Sequence, residues 1–359
     1  MSGSSMLVAN ASRGVFSLGS VPYTVRDVID AAHFRGEVQP VWEELLRMQA
    51  CEERATEEER EIDDAAVDTA AQTFRYDHDL ITAEETERWL ADRGLTLADF
   101  SDYFSRHYWG EAIEDVEPQS LPYVSATPEL RELLIAELML SGELGRMANR
   151  LSWRLASGLA GGNVAGSHSI PALREEFLER QKLEEEQLGE WLAALGRDED
   201  WLQQMLNAEA AYWSQRESLL TPQALKRELG SLRLQLTVFD VEVIEFDSHD
   251  AACEALFCVR DDSMPMEEVA TEGRYPFQRQ QLLLEDIAPD LQPRFLSVSA
   301  GEVLEPMEVG GTYRLCRIAG KSEPDPEDEA VRRRVEQRLL ERHFSDLASR
   351  HVRWELALS

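Results

Sequence analysis

The sequence predicts an α+β chain: mainly helical as far as residue 235, then a small α/β module, then one more long helix. Three observations predict it. Apolar residues recur at helical spacing between residues 25 and 232, punctuated by capping boxes and glycine stops. Part of that helical pattern occurs twice. The run Leu236-Thr237-Val238-Phe239-Asp240-Val241-Glu242-Val243-Ile244-Glu245-Phe246 then alternates with the period of a half-buried strand, and Gly310-Gly311 is a hairpin turn into a second strand over 313–318.

In chain order, residues 15–23 form two short extended pieces around Gly19-Ser20. Thr24 caps a helix over 25–33, and a longer helix over 38–60 carries Val38, Trp42, Leu45, Leu46 and Met48 on its apolar side. A charged run over 57–64 precedes a helix over 66–80. Thr82 with Glu85 is a capping box, and the helix it opens stops at Gly94. Thr96 caps the next, with Leu97, Phe100, Tyr103, Phe104 and Tyr108 spaced for one face. An acidic, proline-containing break covers 111–126.

The pattern then recurs. His33-Phe34-Arg35-Gly36-Glu37-Val38 has a counterpart in Met139-Leu140-Ser141-Gly142-Glu143-Leu144, each opening a long helix. Phe74 precedes Trp89-Leu90-Ala91 and Gly94 as Phe177 precedes Trp191-Leu192-Ala193 and Gly196, and Phe100 and Phe104 match Trp201 and Met205. This reads as a duplicated four-helix unit; the alternative is chance likeness among amphipathic helices with glycine stops. The glycine-rich residues 157–169 lack the Lys-Ser/Thr and preceding strand of a phosphate loop, so they read as an interhelix loop with His168 exposed. Pro171 starts an acidic helix to about Leu195, and Thr221 with Pro222 caps the helix that leads into 236–246. A helix over 250–259 follows, with His249 as a surface or cap residue. A final helix over 330–350 carries Val331, Val335, Leu339, Leu340, Phe344 and Leu347 on one face, and 351–358 alternates like a strand.

At 359 residues the chain has room for two or three domains. Its formal charge of −33 disfavours nucleic acid and anionic membrane surfaces as partners. No run of about 18 apolar residues is present, and the first residues lack the basic and apolar regions of a signal peptide. The four cysteines have no zinc spacing, so they are expected as reduced thiols in a cytoplasmic protein, with no metal and no cofactor. No G-x-S-x-G, P-loop or H-E-x-x-H pattern occurs.

The order strand, helix, short helix, Ala300-Gly301-Glu302-Val303-Leu304-Glu305-Pro306-Met307, glycine hairpin and strand resembles a parvulin, that is, a PpiC-type peptidyl-prolyl isomerase domain. The short strands before Tyr23-Thr24 and the helices after them resemble the N-terminal segment of SurA-type chaperones. That resemblance implies that the C-terminal helix returns to the N-terminal region and sets 352–358 against 15–23. Phe74-Arg75-Tyr76, the run from Leu80-Ile81-Thr82 to Trp89-Leu90, Leu140-Ser141-Gly142-Glu143-Leu144, Leu220-Thr221-Pro222 and 329–354 resemble a cytoplasmic group of PpiC-related peptide maturation system proteins. These sit beside precursor peptides and modifying enzymes of ribosomally made, post-translationally modified peptides; a crocagin-type pathway is one setting. The expected segments are a SurA-like helical region over 1–125, a second, duplicate helical region over 126–235, a degenerate parvulin-like domain over 236–322, and a C-terminal helix and strand over 323–359.

The parvulin resemblance implies a groove that takes proline in an apolar pocket, with two histidines in the patterns x-H-I-L and G-Y-H-I on neighbouring strands. Here those positions fall on Val243 and Arg314, and Glu272-Gly273-Arg274-Tyr275-Pro276-Phe277-Gln278-Arg279-Gln280 stands in place of a Gly-Gly-Asp-Leu-Gly segment. The apolar pocket positions fall at Ile287, Leu291 and Leu296. Val243, Ile287, Leu291, Leu296 and Arg314 are therefore expected to bind peptide, and no residue is expected to be catalytic. Arg314 either meets a carboxylate on an acidic peptide or pairs with one of the chain's own. The peptide lies in the groove or adds to an exposed sheet edge. The function expected is non-catalytic and chaperone-like: binding of a precursor peptide and assistance to its modifying enzymes. The alternatives are an active prolyl isomerase with a reorganised site and a scaffold for a modifying enzyme.

Overall fold

Threonine caps set the helix starts. Thr24, Thr82 and Thr96 each accept the N–H three residues on, and Asp27, Glu85 and Asp99 return a carboxylate to the threonine N–H. The computed structural model describes residues 10–114, 116–118, 120–159 and 168–357. It divides into two compact units, one comprising the chain as far as Ser218 together with the residues from Arg342 on, the other Leu219–Glu341.

The first unit begins with a hairpin of β1 (Gly14–Leu18) and β2 (Val21–Thr24). The last strand of the chain, β7 (Val352–Trp354), pairs antiparallel with β1, Phe16 opposite Trp354 and Leu18 opposite Val352. The expected return of the C-terminus is thus present at these residues, while Leu358 lies outside the described ones. Helices Val25–Phe34, Gln39–Glu57, Asp64–Asp77, Ala83–Arg93 and Leu97–Ala112 follow, and then Pro128–Leu140, Glu143–Leu159, Ile170–Gln181, Leu188–Leu195 and Glu199–Leu219.

Five helices thus lie on each side of the break at 113–127, and the residues matched in the sequence fall on them in the same order. Phe74 meets Trp89 edge-on at 5.5 Å between ring centres, and Phe177 meets Trp191 edge-on at 5.2 Å. Gly94 and Gly196 end equivalent helices with φ of +75° and +67°, a left-handed conformation that a Cβ would strain. Trp42, Phe16 and Phe177 are fully buried in the shared core. Asp30 is also sealed in, and Arg197 Nε donates to it at 2.7 Å.

Several local expectations need correction. Leu97, at the first position of its helix, is 53% exposed, while Phe100 and Phe104 on the same face are buried. His168 is half-buried, stacked on Trp213 at 4.5 Å with its Nδ1 3.1 Å from Glu217. The loop expected over 157–169 begins later, since 157–159 close the helix Glu143–Leu159, and 160–167 lie outside the described residues; the acidic helix expected to run from Pro171 to about Leu195 is instead two helices, Ile170–Gln181 and Leu188–Leu195.

The second unit is built on an antiparallel sheet in the order β4-β3-β6-β5, with β3 at Val238–Phe246, β4 at Phe277–Leu283, β5 at Met307–Val309 and β6 at Thr312–Ser322. Gly310 and Gly311, at φ +59° and +82°, close the β5–β6 hairpin as a turn with two left-handed positions requires. Leu236 precedes β3 and packs with Val331 and Val335 of the helix Glu329–His351. Alternation sends Ile244, Phe246 and Leu315 under the helices His249–Arg260 and Met266–Gly273. Phe239, Val241, Val243, Cys316 and Ile318 go to the opposite face, where the covering helix is the six-residue Gln292–Ser297.

Candidate functional site

The thinly covered face of the sheet holds a groove of about 460 Å³. Val243 of β3 and Cys316 of β6 stand directly opposite each other on its floor, with Phe295 of the short helix beside them. Ile287 and Leu291 form one wall, and Met307 and Val309 of β5 the other. Glu245, Arg314, Gln278 and Gln280 supply the polar lining.

Of the five residues singled out in the sequence, Val243, Ile287, Leu291 and Arg314 come together here. Leu296 does not: it is 42% exposed, while its neighbour Phe295 is 3% exposed. Successive helical residues point about 100° apart, so a short helix that turns Phe295 inward turns Leu296 away.

Arg314 lies opposite Glu245 in the β3–β6 register. Its Nε donates to Glu245 Oε1 at 2.8 Å, and Nη2 approaches the same oxygen at 2.6 Å. Of the two expectations for Arg314, pairing with the chain's own carboxylate is the one the fold realises. The pair is partly exposed, and it neutralises the single cation of the groove lining. Asp286 is tied to Arg334 at 2.8 Å. Burial pushes the Cys316 thiol up to about 12, with Arg314 acting weakly the other way, so the sulfur is a thiol and not a thiolate at neutral pH. No histidine lines the groove. The two carboxylates of the lining, Glu245 and Asp286, are each paired with an arginine. Among the described residues no group of histidine, cysteine, aspartate and glutamate is placed to hold a metal ion.

Sequence reading missed β4 and, with it, Gln278 and Gln280. Its residues, Phe277-Gln278-Arg279-Gln280-Gln281-Leu282-Leu283, show no apolar alternation, and Gln278 to Gln281 are exposed. Polar side chains on an edge strand are a known guard against edge-to-edge aggregation, and they erase the periodic signal by which strands are recognised. Cys316 and Glu245 were missed for another reason: they are placed by register, which pairs Val243 with Cys316 and Glu245 with Arg314. The remaining cysteines, Cys51, Cys253 and Cys258, are free thiols, and His249 is exposed at the start of its helix, as expected. Among the described residues no helix is long and apolar enough to cross a membrane.

No family model matches the chain, and no curated protein matches it. Three solved structures are similar to this chain at low identity and low overlap. Peptidylprolyl isomerase PrsA from Bacillus cereus is 13% identical, with 62% of this chain and 86% of that chain covered and a TM-score of 0.37. Foldase protein PrsA from Streptococcus pneumoniae is 9% identical over 66% of this chain and 91% of that one, at a TM-score of 0.25. A SurA-like chaperone of Campylobacter jejuni is 11% identical over 64% of this chain and 88% of its own, at a TM-score of 0.18.

Proposed function

We propose that the protein is a non-catalytic, chaperone-like peptide-binding protein whose groove holds an extended segment of a precursor peptide during its maturation by other enzymes in the cytoplasm. The observation that carries this reading is the lining itself. An apolar floor of Val243, Cys316 and Phe295 lies between polar side chains, whose charged members Arg314, Glu245 and Asp286 are all in ion pairs, and Cys316 is held as a thiol. Such a surface offers burial to apolar side chains and main-chain partners to a peptide, and little else. The precursor peptide and the modifying enzymes as partners rest on the sequence resemblance to peptide maturation proteins.

Prolyl isomerisation is the second reading. Its barrier of about 18–20 kcal/mol falls with modest stabilisation of a twisted amide, and Arg314 beside the groove floor is a cation in the right neighbourhood. Two measurements on the full chain decide. Calorimetric titration with the precursor peptide encoded beside the gene is expected to give saturable binding; no heat at any accessible concentration overturns the reading. A proline-isomerisation assay is expected to show no acceleration. Acceleration that Arg314→Ala abolishes would establish the isomerase instead.

A further inference from the structure

We infer that the bound peptide becomes a fifth strand of the sheet, pairing with the outer edge of β4, and that the groove selects neutral or basic segments with apolar residues at alternate positions. This rests on the peptide-binding reading above and adds to it a binding mode and a ligand class.

In an antiparallel pair, residues alternate between turning both N–H and C=O toward the partner strand and turning both away. Leu284 N–H donates to Thr237, and Glu245 N–H donates to Pro276. With Val238 opposite Leu283 throughout the same register, these bonds fix the alternation: Gln278, Gln280 and Leu282 bond inward to β3. Ile318 confirms it from the other side, since its N–H and C=O turn away from β3 to bond Glu302 and Gly301. Phe277, Arg279, Gln281 and Leu283 therefore turn their N–H and C=O groups outward. Among the described residues no main-chain partner meets them.

This edge is guarded only by polar side chains and one charge. β4 contains no proline, and its pairing with β3 has no bulge. Its one charge, Arg279, is held by Glu242 and Glu267 on the helix-covered side. The opposite edge, β5, has only three residues. A strand added beside β4 would place every second side chain next to Gln278 and Gln280, on the groove side, and would turn the others away.

The occupant follows from what the groove lacks. A second copy pairing through its own β4 would bring Gln278 and Gln280 across from their equivalents and leave the apolar floor empty. A peptide with leucine-like residues at alternate positions fills it. With Arg314 neutralised by Glu245, the lining's uncommitted surroundings are those of a chain of formal charge −33, which favours lysine over glutamate between the apolar positions.

The test uses the full chain and a capped, unstructured peptide of alternating leucine and serine or lysine, matched in length to β4. The parent peptide is expected to bind. N-methylation of its amides at one parity is expected to weaken binding about tenfold or more, and at the other parity to leave it unchanged. Binding of the parent with no difference between parities overturns strand addition while leaving the peptide-binding reading intact. No binding of the parent overturns both. A second variant probes the protein's side: Gln281→Pro removes an outward N–H and no ladder bond, so the fold is expected to survive with peptide affinity lost, whereas Gln281→Ala keeps it. Equal affinity in both variants overturns the pairing at β4, as does a dimer that Gln281→Pro dissociates without any peptide binding.

Discussion

On one face of the four-stranded sheet, Ile244, Phe246 and Leu315 lie beneath helices of twelve and eight residues. On the other, Phe239, Val243, Cys316 and Ile318 lie beneath a helix of six. At about 1.5 Å per residue the longest of these spans roughly 18 Å and the shortest roughly 9 Å, against a central strand of about 30 Å. The same strands therefore produce a sealed face and an open one, and the difference lies in the length of what covers them. Both faces bury their strand residues, Phe239 and Ile318 as fully as Ile244 and Leu315, but the thinly covered one leaves a groove beside Val243 and Cys316.

The strongest way to break this contrast is to exchange the roles of the faces. Phe246→Ala, on the sealed face at 1% exposure, is expected to cost about 3–5 kcal/mol, read by urea unfolding. A loss below 1 kcal/mol would show that this face is no better packed than the groove.

Cys316 sharpens the contrast at the groove floor. Its thiol stands at about 12 in the fold against an ordinary 9.0, so the folded state holds the proton more tightly than the unfolded one. The stability this provides is complete below pH 9 and lost as pH rises from there toward 12. Melting temperature is expected to fall over that window, and Cys316→Ala is expected to flatten the decline. A thiol reagent at neutral pH is expected to label Cys253 and Cys258 well before Cys316, which is 5% exposed. Equal labelling would mean that the floor is open to solvent.

The smallest effect concerns Arg314. Arg314→Met breaks a pair whose side chains are 39% and 30% exposed, so stability is expected to change by less than about 1 kcal/mol. Freeing Glu245 adds a negative charge beside the groove, and affinity for a lysine-bearing peptide is expected to rise a few-fold, with the gain disappearing at high salt. A loss of affinity would make Arg314 a direct contact of the peptide.

How far the sequence could be read follows the same physics. Helix caps such as Thr24, Thr82 and Thr96, and stops such as Gly94, act over three or four residues and were legible. So was β3, because its residues alternate. The pairs Phe74 with Trp89 and Phe177 with Trp191, matched in the sequence, each make an edge-on ring contact. The groove was half legible. Val243, Ile287, Leu291 and Arg314 were reached through a family pattern, and Leu296 was misplaced because the rotation of a six-residue helix is set by packing. β4 was invisible: an edge strand exposed on its outer side has no reason to alternate. Glu245 as the partner of Arg314 depends on cross-strand register, which no local signal in either segment contains.

The groove on the thinly covered face is proposed to bind peptide through a rim that the fold does not depend on. Leu291 is the residue to test it, since it lines the groove wall and is only partly buried. Titration of wild type and Leu291→Lys with the same leucine- and lysine-bearing peptide, alongside their thermal unfolding, is the most direct measurement. The expected result is at least a tenfold loss of affinity, about 1.4 kcal/mol, with an unchanged melting temperature. Unchanged affinity in a folded variant would contradict the account.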